Sequence, residues 1–182
     1  MPCNSMSDEP LILVDANDRE IGSETKSACH AGDGLLHRAF SVFLFNPRGE
    51  LLLQQRSDLK PLWPGYWSNS CCSHPRVGET VPEAARRRVV EELGVDCELR
   101  VLYKFVYQAS FGEAGSEHEY CWVLAGQNDD DVVADPDEVA DYRWVAADAL
   151  TSEMAAHPDR FTPWFKLEWQ KIQQDFGDII NG

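Results

Sequence analysis

Four of the five histidines stand where a ring nitrogen could do chemistry. His30 and His37 lie seven residues apart ahead of an apolar run, His74 sits in the irregular stretch CCSHP, and His118 is flanked by Glu117 and Glu119 in EHEY. Side chains alternate in extended chain, so Glu117 and Glu119 share one face and His118 takes the other. His30, His37 and His74 with two same-face carboxylates could hold a divalent cation with five or six ligands, a harder donor set than a cysteine-rich zinc site. Spacing alone does not bring these segments together, and each histidine taken singly also reads as structural or exposed. His157, followed by proline in a polar loop, reads as surface. Cys71 and Cys72 are adjacent and cannot both face the same way; the turn-formers, His74 and nearby arginines would favour a thiolate if one is exposed, and an inert buried thiol is the alternative.

The composition limits what this chemistry can serve. With 182 residues the chain is long enough for about one domain. Its 31 acidic against 16 basic residues leave a net charge of −15, which disfavours nucleic acid and anionic membranes as partners. No apolar run approaches a membrane span, and MPCNSMSDEP lacks the features of a signal peptide, so a cytoplasmic protein with reduced cysteines is expected. The charge is unevenly placed. Gln127 to Tyr142 holds seven acids and no lysine or arginine, and reads as a solvated loop with its flanks. Residues 56–88 hold six basic residues against three acids, enough to hold a small anion locally.

The elements that must position these groups are legible in outline. Residues 1–10 read as a flexible polar tail and 11–182 as a single domain. LILVDA (11–16) reads as a first strand, and AFSVFLFN (39–46), NPRG and ELLLQQR (50–56) as a hairpin near the middle of a sheet. Residues 61–79 read as irregular. Thr80 with Glu83 forms a capping box for a helix on Ala85, Val89 and Leu93 that stops at Gly94. Further strands are expected at 99–107, 118–125 and 141–146, and a short helix near 148–156. A last helix over 164–176 carries a stripe of Phe165, Trp169, Ile172 and Phe176. Mixed strands and helices imply an α/β (mixed α+β) fold with sheets flanked by helices.

Taken in order, TKSACHAGDGLLHRAFSVFLFN, QQRSDLKPLWPGYWSNSCCSHP, RRRVVEELG and YQASFGEAGSEHEYC resemble the type I isopentenyl-diphosphate isomerases, from about Leu11 to the final helix. The resemblance implies a Nudix-like fold and interconversion of isopentenyl and dimethylallyl diphosphate. It implies that Cys72, rather than Cys71, and Glu119 are catalytic, with Tyr107 assisting Glu119. It implies that His30, His37, His74, Glu117 and Glu119 hold one zinc or manganese ion. Glu92 would meet a magnesium ion that arrives with the diphosphate. Lys26, Arg56, Lys60 and Arg88 would surround the diphosphate, and Trp164 would set its aromatic face beside the allylic cation. Trp63, Trp67 and the C-terminal helix are candidate parts of a lid that excludes water. The implied partner is a small diphosphate substrate, with no nucleic acid, no stable membrane association, and a monomeric or weakly dimeric state.

A Nudix hydrolase is the rival reading. Aligned on Glu91-Glu92-Leu93-Gly94, the chain keeps Glu79 and Arg87 of the hydrolase box but has Ser73 in place of its glycine and Arg88 in place of a glutamate. Positions 88 and 92 share a helix face, so a carboxylate pair that would gather magnesium is here an arginine–glutamate pair.

Overall fold

The computed structural model describes residues 9–180. Most of the expected tail lies outside them, and Pro10 already begins the first strand. β1 (Pro10–Val14) pairs antiparallel with β2 (Glu20–Thr25). α1 (Lys26–His30) follows, with the Thr25 side chain accepting from Ala28 N–H at its start. The remaining elements are β3 (His37–Phe45), β4 (Leu51–Arg56), β5 (Trp67–Ser68), β6 (Cys71–Ser73), α2 (Val81–Leu93), β7 (Leu99–Ser110), β8 (Ser116–Gln127), β9 (Val139–Val145), α3 (Ala147–Ala156), α4 (Pro163–Asp175) and α5 (Gly177–Ile180).

The sheet is mixed, with helices on both faces, as expected. β3 is its spine. One edge of β3 runs parallel to β8 over its whole length, from His37↔Glu119 to Phe45↔Gln127. Its other edge is shared by three antiparallel neighbours: β1 at His37, β6 over Phe40–Val42, and β4 at Phe45 alone. The expected hairpin is therefore corrected. The turn forms, with Asn46 N–H donating to Glu50 O (3.0 Å), but the strands part after one pair, and β4 continues between β9 and β5. Short runs flanking a Pro/Gly turn cannot reveal this, because the competing partners lie far away in sequence. The segment 61–79 is corrected too, since β5 and β6 lie within it.

Why β3 is almost wholly apolar follows from its cover. Phe43 and Phe45 pack with α4 on one face; Phe40, Val42 and Leu44 pack with α2 on the other. A strand buried on both faces loses the polar alternation of a half-wet one. α2 is delimited as expected, with Glu83 Oε2 accepting from Thr80 N–H (3.0 Å) and its hydroxyl (2.6 Å), and Gly94 left-handed at φ 66°. Its buried face carries Arg88 and Glu92 besides Val81, Ala85, Val89 and Leu93. α4 buries Trp164, Phe165, Glu168, Trp169 and Ile172, while Phe176 caps its end and stacks on Tyr103 with centroids 5.7 Å apart. Thirteen residues make a marginal helix in isolation, and burying each such large side chain contributes about 1.5–3 kcal/mol, so docking holds α4 in place. No described helix is long and apolar enough to cross a membrane.

Candidate active site

The register of the sheet assembles the site on its α4 face. Glu117, Glu119 and Cys121 alternate along β8, Tyr107 of β7 lies opposite Glu119, and Cys72 of β6 lies opposite Ser41 of β3. His37 begins β3 beside Glu119, His30 ends α1, and His74 follows β6. Ligand atoms of His30, His37, His74, Glu117 and Glu119 all lie within 4.8 Å of one another. His118 points away, toward Gly34 O (3.3 Å). Gly115 permits the close approach of the β7–β8 turn to α1, since a Cβ there would stand 2.4 Å from His30 O.

These five groups fit a divalent cation better than they fit each other. His30 Nε2 and Glu117 Oε2 approach to 2.9 Å, yet both are buried without a hydrogen-bond partner. His37 Nε2 and His74 Nε2 face one another at 3.2 Å, and His74 Nε2 lies 3.1 Å from Glu119 Oε1. His37 Nδ1 meets Leu35 O at 2.7 Å, which fixes a proton there and makes Nε2 the atom a bound cation would take. Burial alone would lower the His37 pKa, but Glu119 and Glu117 raise it, so without a cation it pairs with those carboxylates instead. Burial, then the neighbouring His37, pushes the His74 pKa well down, into the neutral form that ligates.

Beside this cluster stand Tyr107 and Cys72. Tyr107 donates to Glu119 Oε2 at 2.6 Å. Burial alone would raise the Glu119 pKa, but the interaction with His37, helped by Tyr107, carries it below the usual range. The Cys72 thiol is pushed up to about 12, chiefly by burial. It donates to Asn69 Oδ1 (2.8 Å) and accepts from Trp164 Nε1 (3.3 Å). Cys71 points to the opposite face, into the core with Val42, Ala84 and Val89.

A cleft of about 570 Å³ joins these groups to a cationic wall of Lys26, Arg56, Lys60 and Arg88. Burial, then the Lys60 charge, lowers the Lys26 pKa, and Glu117 and Glu138 only partly oppose that shift. Arg56 donates from Nε to Leu62 O and Trp63 O and from Nη2 to Leu62 O, and its guanidinium carbon lies 5.3 Å from the Trp164 ring centroid. Arg88 is ringed by carboxylates: Glu92 at 2.5 Å, Glu91 at 2.7 Å and Glu138 at 3.1 Å. Glu138 also pairs with Lys60, and these two cations overcome its burial and hold its pKa at about 2.

A family model of the NUDIX domain matches residues 35–165. The isopentenyl-diphosphate Delta-isomerase of Burkholderia multivorans is 48% identical over 87% of this chain and 89% of its own length. Isopentenyl-diphosphate Delta-isomerase 2 of Photorhabdus laumondii is 44% identical over 92% of this chain and 97% of its own. The chain belongs to the isopentenyl-diphosphate isomerase family. Among solved structures, the DR0079 protein of Deinococcus radiodurans superposes with a TM-score of 0.67 at 26% identity, covering 81% of this chain and 90% of that one. The MutT protein of Methanosarcina mazei superposes at 0.64 with 19% identity, covering 77% and 94%, and so shares the fold.

For this isomerase-family chain, the residues singled out in the sequence nearly all meet at one cleft. His37 lies just behind it, fully buried. Glu92 also lies behind the cleft wall, one carboxylate oxygen on Arg88 and the other 3.2 Å from Gln54 Nε2. Trp63 packs edge-on against Trp164 (centroids 5.2 Å), whereas Trp67 stands off the cleft under Arg143. Glu138 was missed: the acid-rich stretch is not uniformly solvated, because this carboxylate folds under Lys60 and Arg88. Asn69 and Ser41, which touch Cys72, were missed as well. The one available signal was the buried-strand pattern around Ser41, a hydroxyl inside an otherwise apolar run.

Proposed function

We propose that this protein interconverts isopentenyl and dimethylallyl diphosphate, with Cys72 and Glu119 transferring protons on opposite sides of the bound alkene. The observation that carries the reading is the convergence on one cleft of Cys72, Tyr107 and Trp164 with the cations Lys26, Arg56, Lys60 and Arg88. Moving the double bond requires one carbon to gain a proton and another to lose one, through a tertiary carbocation. Two proton-transfer groups on separate elements suit that demand. Cys72 is held between Asn69 and Trp164, and Glu119 between Tyr107 and the histidines. The Trp164 ring offers its face to positive charge without a nucleophilic atom that would trap it. Trp63 and Trp164 pack tightly and help keep water from the cation.

His30, His37, His74, Glu117 and Glu119 would hold a zinc or manganese ion, which fixes the Glu119 carboxyl and offsets its charge. Lys26, Arg56, Lys60 and Arg88 would take the diphosphate, whose accompanying magnesium neutralises what they do not. Glu92 would meet that ion by giving up Arg88 or Gln54. The hydrolase reading is weaker, because the carboxylates on and just before α2 are already paired with arginines: Glu79 with Arg87 (2.7 Å), Glu91 and Glu92 with Arg88. We propose further that the catalytic unit is a single domain acting as a monomer or weak dimer in the cytoplasm. An epoxide analogue of isopentenyl diphosphate, opened by acid at the alkene position, tests the reading. Mass spectrometry should find the adduct on Cys72 or Glu119; an adduct on Cys71, or none, overturns the assignment.

A further inference from the structure

A second ionisable group lies behind Cys72, outside the cleft. Glu168 sits one helical turn after Trp164 on α4 and is fully buried. Its Oε1 accepts from the Cys121 thiol at 3.6 Å, while Oε2 is buried with no well-formed hydrogen bond among the described residues. A buried carboxylate left unpaired is strongly disfavoured in its charged form. Among the described residues no cation answers it: the charged and titratable groups facing it are Glu119 and Cys121 of β8, Cys72 of β6 and Tyr103 of β7. Ser41 of β3 stands in the middle. Its hydroxyl lies 3.7 Å from Cys72 Sγ and 3.4 Å from Cys121 Sγ, and it interacts with the Glu168 carboxyl as well.

We propose that Glu168 is a positioning residue that, as a neutral acid, steers the Ser41 hydroxyl proton onto the Cys72 sulfur. The inference rests on the role given to Cys72 above. Ser41 has one proton and several acceptors around it. A protonated Glu168 can donate to Ser41 Oγ, and Ser41 then donates to Cys72. An ionised Glu168 is the strongest acceptor present, so it draws the Ser41 proton to itself and leaves the sulfur without that donor. Burial keeps Glu168 in its acid form to about pH 8, so the arrangement holds at neutral pH and is lost as pH rises further.

The test is kcat against pH from 6 to 10 on metal-loaded enzyme. Wild type should lose about 10-fold in kcat above pH 8, the scale of one hydrogen bond, with KM unmoved because Glu168 does not line the cleft. Glu168→Gln keeps an N–H donor and cannot ionise, so it should hold the neutral-pH rate and lose the alkaline fall. Glu168→Met removes the donor and should be about 10-fold slower throughout. Ser41→Ala, the least disruptive change, should match it. A Glu168→Gln profile that keeps the wild-type alkaline fall, or a Ser41→Ala enzyme with wild-type kcat at pH 7, overturns the proposal. Cys72→Ala separates the two readings: if it turns over normally, the role of Cys72 fails; if it is inactive while Glu168→Gln keeps the fall, only the role of Glu168 fails.

Discussion

Replacing each of the two adjacent cysteines by alanine should give opposite defects. Cys71 is fully buried between the sheet and α2, so its loss removes one sulfur from a packed core. The transfer and cavity terms together come to about 1–2 kcal/mol. For a chain of this size that lowers Tm by roughly 2–8 °C, with most of kcat retained. Cys72→Ala leaves Trp164 Nε1 without its acceptor, a comparable stability cost of about 1 kcal/mol, so Tm does not separate the variants. kcat does. A missing proton-transfer group lowers it by about 10²- to 10⁴-fold, and Cys72→Ser should be nearly as slow, because a hydroxyl gives up its proton far less readily than a thiol. Metal content should be unchanged in both. Steady-state rates, elemental analysis and thermal melts on the same preparations decide the matter. An inactive Cys71→Ala beside a normal Cys72→Ala would refute the assignment of faces to β6.

Removing metal with a chelator should abolish activity and lower Tm, because the five donors come from α1, β3, β8 and the segment after β6, and a bound cation adds its binding energy to the packing of those segments. Recovery should follow zinc or manganese; full activity in protein shown to be metal-free would count against the site. Tyr107→Phe deletes the 2.6 Å bond to Glu119 and should lower kcat by about 10- to 100-fold with metal retained; an unchanged kcat would remove Tyr107 from the chemistry. Glu138 is held at about pKa 2 in the folded protein, below its unfolded value, so its contribution to stability is complete above about pH 4.5 and fades as pH falls toward 2. Denaturant midpoints should therefore show Glu138→Gln less stable at pH 7, with the gap narrowing toward pH 3. A gap independent of pH would mean that the carboxylate charge is not what stabilises.

Local signals carried much of the fold. α2 was readable because its capping box, its four-residue apolar spacing and Gly94 all lie within one stretch of chain. α4 was readable from Phe165, Trp169 and Ile172, but the same pattern gave no warning that Glu168 faces inward too. α1 escaped notice since five residues carry no periodicity, although it delivers both Lys26 and His30. The partner strands of β3 and β4 are set by contacts with residues far along the chain, hence the misread hairpin. The alternation of Glu117, His118 and Glu119 was a local inference, and β8 follows it. Glu138 was hidden because its meaning depends on Lys60 and Arg88, 78 and 50 positions away, and nothing in its own neighbourhood distinguishes it from the exposed acids around it.

The most direct test of the central claim is a proton NMR time course of the metal-replete protein with isopentenyl diphosphate in deuterium oxide. The expected result is dimethylallyl diphosphate carrying deuterium from solvent, with the diphosphate intact, because a proton is added at one carbon and another is lost at its neighbour's far side. Release of phosphate or pyrophosphate from the substrate, with no allylic signal, would contradict it.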